Sequence, residues 1–209
     1  MSDENIQQTQ DAAREAVEKD VDIQQTVRDI TLKALTERQL DKEGIKAVIG
    51  AVTTGVTQGV EANKDKMNTS FKQALSGMDE AVAKSAQAAK LAATEAMGKV
   101  SDFADHEFKE TLSQLENLED LFIDTVNAAA QQAGKLANES FRDLTSHLKN
   151  SGSDAGRQAK EAAEQLRQQL TTAGKEGMEA AMKAGKQAGN QIAQIASGIL
   201  AGMADALKK

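Results

Sequence analysis

An all-α fold of long amphipathic helices is what the sequence predicts, and three observations predict it. The 209 residues include no proline, tryptophan or tyrosine and only five phenylalanines, a composition that suits long helices and omits the strongest helix breaker. Apolar residues recur every eleven positions, so that steps from Met67 fall on Met78, Ala89, Val100, Thr111, Phe122, Ala133 and Leu144. Two further columns run beside this one, through Phe71, Val82, Ala93, Ala104, Leu115, Val126, Ala137 and Leu148, and through Leu75, Ala86, Met97, Phe108, Glu119, Ala130 and Phe141. Eleven residues in three turns is about 3.67 per turn, close enough to the straight helix that the columns form one stripe with little drift. An elongated helical bundle or a coiled coil is the architecture that covers such a stripe.

Residues 1–63 read as an N-terminal helical segment. From Ile6 to about Leu40 the spacing of Val17, Val21, Val27, Ile30, Ala34 and Leu35 is helical, a hinge falls near Gln39 to Lys42, and Asp41 offers an N-cap for the next helix. That next helix, 44–60, places Ala47, Ala51, Gly55 and Gly59 four residues apart, with Val48, Val52, Val56 and Val60 beside them. Small residues so spaced let two backbones approach closely, which predicts a tightly packed helix pair, with a membrane-associated hairpin as the alternative.

Residues 64–150 read as a long central amphipathic helix. Unbroken, it would measure roughly 125 Å, against roughly 45 Å across for a compact chain of this length. Gly77 and Gly98 are candidate breaks, each about 1 kcal/mol worse than alanine, but the apolar phase runs through both and predicts continuity. Its expected contact face comprises Phe71, Leu75, Met78, Val82, Val100, Phe108, Leu115, Leu118, Phe122, Val126, Phe141, Leu144 and Leu148, with the large side chains densest over 103–122. Residues 151–156 are the expected linker, where Gly152 suits a helix C-terminus and Ser153 or Asp154 an N-cap. The remaining 157–209 form a Gly/Ala-rich helix in which Gly177, Ala181, Gly185, Gly189 and Ala193 mark a row for close packing.

Charge narrows the partners. The net charge is −7, with 17 Lys+Arg against 27 Asp+Glu over 1–156 and 8 against 5 over 157–209, which opposes binding to a phosphate backbone; aromatic residues for base stacking are also missing from the basic end. Nucleic acid is therefore not an expected partner. The acidic start, Met1 to Asn5, lacks the basic and apolar regions of a secretory signal, and the uncharged run from Gln187 to Ala204 carries too many amides for a lipid-exposed span, so a cytoplasmic location is expected.

Chemistry finds few footholds. Without cysteine there is no disulfide, thiolate nucleophile or cysteine metal site. A helix would place Asp102, His106 and Glu110 on one face, a spacing that suits weak divalent-metal binding but is more simply a solvated acidic face. His147 has no such cluster around it. Phosphate-loop, dinucleotide, zincin and nucleophile-elbow motifs are absent from the sequence. The expectation is a non-enzymatic protein with no catalytic residue, cofactor, metal or small-molecule substrate, and with self-association into a homo-oligomer.

The stretch Leu115-Glu116-Asn117-Leu118-Glu119-Asp120-Leu121-Phe122, followed by the alanine-rich run from Val126 to Ala137, resembles in texture the helices of bacterial phasins, as do the acidic charge and the lack of proline and cysteine. Repeats such as Ala173-Gly174-Lys175-Glu176-Gly177 are similar to those of desiccation-related late embryogenesis abundant proteins. The phasin resemblance, shared with apolipoprotein-like amphiphiles, implies a coat on a polyhydroxyalkanoate granule or lipid surface, with 67–148 as the apolar face. The alternatives are a scaffold that self-associates through a long coiled coil and a stress-protective protein that is disordered in dilute solution.

Overall fold

Several helix boundaries in this protein fall at a side chain that caps free backbone amides or at a residue of positive φ. A computed structural model describes residues 3–37, 41–60, 64–99 and 105–182, and no strand occurs among them. Helix α1 spans Asp3–Lys19 and α2 spans Ile23–Thr36. Asp20 and Asp22 between them have φ of 51° and 41°, a region that aspartate tolerates better than most residues, and the Asp22 carboxylate accepts the Gln25 amide to cap α2. The single helix expected from Ile6 to Leu40 is therefore two, and Val21, counted on its apolar face, lies in the turn between them and is 69% exposed.

Asp41 caps α3, Lys42–Val60, by accepting the Gly44 amide at 2.6 Å. A 3₁₀ turn at Lys64–Lys66 leads into α4, Met67–Lys99, followed by α5, Asp105–Glu116; α6, Leu118–Ala133; α7, Lys135–Ser151; and α8, Asp154–Met182.

The continuous helix expected over 64–150 is thus a series of shorter ones. Asn117 folds its side chain back onto the Ser113 carbonyl, 2.7 Å away, at the α5–α6 joint, and Gly134 has φ +119° with open space where a Cβ would sit. At Gly134 the chain reverses: Asp120 pairs with Lys149, and the Thr145 hydroxyl donates to Asn127 Oδ1 at 2.9 Å, so α6 and α7 are antiparallel. Gly77, a candidate break, sits inside α4 with its missing Cβ replaced by the backbone of Gln24 and Arg28 in α2. Gly98 is also within α4, one residue before its last described position.

Packing partners order the helices into two rows, α1, α3 and α6 in one and α2, α4 and α8 in the other, with α7 covering α6 and α5 lying against α8. Gly55 abuts Gln10 and Ala13 while Gly59 abuts Arg14 and Val17, so residue numbers rise together and α1 runs parallel to α3. One connected core fills the space between the rows. Its largest fully buried side chains include Phe71, Phe122 and Phe141, each worth about 1.5–3 kcal/mol of transfer free energy. The Phe71 and Phe141 rings meet at 4.5 Å between centroids and tie α7 to α4.

Candidate functional site

The candidate contact face lies inside the described fold. Phe71, Leu75, Met78 and Val82 of α4, Leu115 of α5, Leu118, Phe122 and Val126 of α6, and Phe141 of α7 are all buried, while Leu144 and Leu148 are half-buried against the same core. Val100 lies outside the described residues, and Phe108 belongs to α5 with its side chain outside them. Large hydrophobic side chains exposed among the described residues are Val21 and Leu91, the latter 47% exposed. The helices of the same chain cover the described part of the stripe.

Of the expected close-packing row, Ala51, Gly55 and Gly59 are buried, and the two glycines meet backbone atoms of α1. Gly177 and Ala181 are helical in α8, with their surroundings outside the described residues, as are Gly185, Gly189 and Ala193 altogether.

The histidine face gives no assembled site. Asp102 lies outside the described residues, the His106 side chain likewise, and Glu110 and His147 are exposed. Among the described residues no group of three His, Cys, Asp or Glu side chains is placed to hold a metal ion. An apolar gap of about 30 Å³ between Leu35, Ile45, Val82, Ala86, Leu115 and Leu118 has room for no more than a water or two and not for a substrate. A wider, open groove of about 700 Å³ lies between the start of α3 and α5–α6, where Lys42 and Lys46 face Asp120 and Asp124. Both charges are present in it, so it selects neither anions nor cations.

The most densely bonded polar site is the first turn of α8, which the sequence marks only as a linker. That linker is two residues long: Gly152, with φ +83°, and Ser153. Ser153 is the N-cap, its hydroxyl accepting the Gly156 amide at 2.8 Å. Buried Asp79 reaches across from α4 and accepts the Asp154 amide at 2.8 Å and the Ala155 amide at 2.9 Å, one on each oxygen. Glu119 of α6 accepts the Ser153 amide at 3.1 Å and its hydroxyl at 2.7 Å, and Lys160 approaches its other oxygen at 3.4 Å. Two carboxylates thus clip three helices together at amides that the helix itself leaves unpaired. Gly156 leaves room for the clip, because a Cβ there would occupy the position of the Glu119 carboxylate and push that flexible group aside.

The two carboxyl groups titrate in opposite directions. Burial pushes Asp79 above the ordinary carboxylate range, further helped by the nearby Asp154 and Glu119 charges and only partly offset by the two amides. For Glu119 burial is again the largest single effect and acts upward, but the Ser153 hydroxyl and amide together with Lys160 outweigh it and hold the group below its usual value. A raised native value means that the unfolded state releases its proton first, so the Asp79 contribution is fully present at acid pH and is lost as pH climbs through the raised value. Glu119 behaves conversely, contributing above the ordinary carboxylate range and losing that contribution as pH falls through its lowered value. Melting midpoints from pH 3 to pH 8 check this: the deficit of Asp79→Asn relative to the parent is expected to shrink as pH rises, and that of Glu119→Gln to grow. Parallel pH profiles for both variants would refute the assignment.

Among the described residues, no helix is long and apolar enough to cross a membrane. Comparison with protein families matches residues 1–209 to a model described as a family of unknown function (DUF6781). No curated protein and no solved structure matches the chain.

Proposed function

Since the chain belongs to the family of unknown function DUF6781 along its whole length, we propose its role from its own physical chemistry: a non-enzymatic amphipathic helical protein that coats a hydrophobic surface, such as a polyhydroxyalkanoate granule or a membrane face in the cytoplasm. One observation carries the reading. The described large apolar residues that align along one face of 67–148 lie on the core-facing rows of α4, α5, α6 and α7. Each helix therefore keeps the same apolar row whether that row faces its neighbours or a foreign surface.

Exchange of one apolar cover for another conserves most of the burial, because the hydrophobic effect is non-directional and follows the area removed from water. The joints at Asn117 and Gly134 let the helices swing apart without unwinding, and the acidic, glutamine-rich faces stay in solvent throughout. Self-association as a scaffold uses the same row, with a second copy as the cover.

Flotation of the purified chain with polyhydroxybutyrate particles and with phosphatidylcholine vesicles tests the proposal, alongside light scattering of the protein alone. Saturable binding to either surface with helicity retained is the expected result. Oligomers that bind neither surface would replace the coat with the scaffold, and a monomer that binds neither would end both readings.

A further inference from the structure

We propose that α8 is a detachable cover, which lifts from α4 as a unit at the Asp79–Glu119 clip while the rest of the bundle stays folded. The α8 row that faces the core is Ala155, Ala159, Ala162, Ala163 and Leu166, all buried, with one large side chain among five. On α4 the facing row is marked by the cross-helix partners Asp79, Gln87 and Lys90, and Ala83 and Ala86 fall on that same helical face. The partners 79 with 154 and 155, 87 with 158, and 90 with 165 rise together, so the two helices run parallel, with methyl groups between them.

Methyl-on-methyl packing supplies little apolar area per turn. This sets the seam apart from the α1–α3 seam, where glycines bring backbones together, and from the α4–α7 contact between two phenylalanine rings. Alongside the α8 seam runs an open groove of about 260 Å³ lined by Gln87, Lys90, Leu91, Gln158, Glu161 and Gln165. The bonds Gln87–Gln158 and Lys90–Gln165, 2.7 and 2.8 Å long, are exposed, so water replaces them readily. Among the described residues, the buried and half-buried polar bonds that fix α8 are therefore concentrated in its first turn, where Asp79 and Glu119 hold Ser153, Asp154 and Ala155; the Arg167–Glu116 pair to α5 further along is exposed like the two bonds to α4. Exposed Gly152, with φ +83°, immediately precedes that turn and serves as the pivot. Release bares the alanine row of α4 and the parts of α5 and α6 against which α8 lies.

Hydrogen exchange on the full chain, read by mass spectrometry, tests the cover independently of surface binding. Peptides from 157–168 are expected to exchange faster than those from α3 and α7. Gly156→Ala displaces the Glu119 carboxylate, a flexible group, without touching the core, and is expected to speed exchange in 157–168 by about tenfold while α3 and α7 keep their rates. A short bis-maleimide bridge in Gln87→Cys/Gln158→Cys, in a chain otherwise free of cysteine, should slow exchange in α8 alone. Exchange of α8 at the α3 rate in the parent, or a change shared by every helix in either variant, would show that α8 opens only with global unfolding and overturn the proposal.

Discussion

Gly55→Leu is expected to abolish cooperative folding of the N-terminal helices, whereas Gly50→Ala, five residues earlier on the same helix, is expected to raise the melting midpoint. A Cβ at Gly55 would fall on the carbonyl oxygen of Gln10, with Ala13 Cβ and the Arg14 amide nitrogen each 3.0 Å away. Two of these three are backbone atoms, which cannot rotate aside as a side-chain tip does. To admit leucine, α1 and α3 must part, and the packing of Ala13, Val17, Val52 and Val56 in the shared core is lost with them. Overpacking alone costs about 1–3 kcal/mol and sometimes more, and the lost burial adds to it; against a typical total of about 5–15 kcal/mol, such a loss is severe. Nothing lies within 4 Å of a Cβ at Gly50. There alanine recovers only its helix propensity, about 0.8–1.0 kcal/mol, or roughly 2–4 °C for a chain of this size. Thermal melts followed by circular dichroism measure both. Equal destabilisation by the two changes would mean that the α1–α3 spacing is not set at Gly55.

The same contrast explains which parts of the fold the sequence discloses. A glycine row at four-residue spacing beside a valine row discloses a close seam, and Asp41 before Lys42 discloses a helix start, because both are local patterns. The reversal at Gly134 is not disclosed. An eleven-residue period requires only that each helix keep its apolar residues on one face, and α6 and α7 do so whether they continue straight or fold back. Gly77 and Gly134 look alike in sequence; the difference is that α2 backbone fills the Cβ space of the first, whereas the second has open space and a φ of +119°.

The clip had one visible signal. Glu119 is the sole charged residue in the three apolar columns, and a charge on a core-facing row calls for a polar partner. Nothing local names that partner, because Ser153 is 34 residues away in sequence. Asp79 carries no signal at all: it stands next to Met78 on a helix whose other acidic residues, Glu80 and Glu95, stay partly exposed, and only the tertiary approach of α8 buries it. Joints and polar cross-links between distant helices are thus properties of the packed chain, while rows and caps are properties of the local sequence.

Phe141→Ala is expected to cost about 3–5 kcal/mol, the usual range for removing a fully buried ring, and Phe71→Ala a similar amount. Both side chains are at most 1% exposed, and their rings meet at 4.5 Å with planes 43° apart. The pair is the largest identified contact by which α7 reaches α4, since α7 otherwise rests chiefly on α6. Loss of either ring leaves the other facing a cavity, so the double variant should be less damaging than the sum of the two single ones. A tilted aromatic pair contributes about 0.5–1.5 kcal/mol beyond area burial, which is the coupling a double-mutant cycle should return. Leu91→Ala, at a site nearly half exposed, is the reference and should change stability by no more than about 0.5 kcal/mol. Urea midpoints for the four proteins and the reference decide the matter. If Phe141→Ala costs no more than Leu91→Ala, or the two phenylalanine effects add without coupling, then α7 is not held on α4 by these rings, and the fold-back at Gly134 loses its anchor.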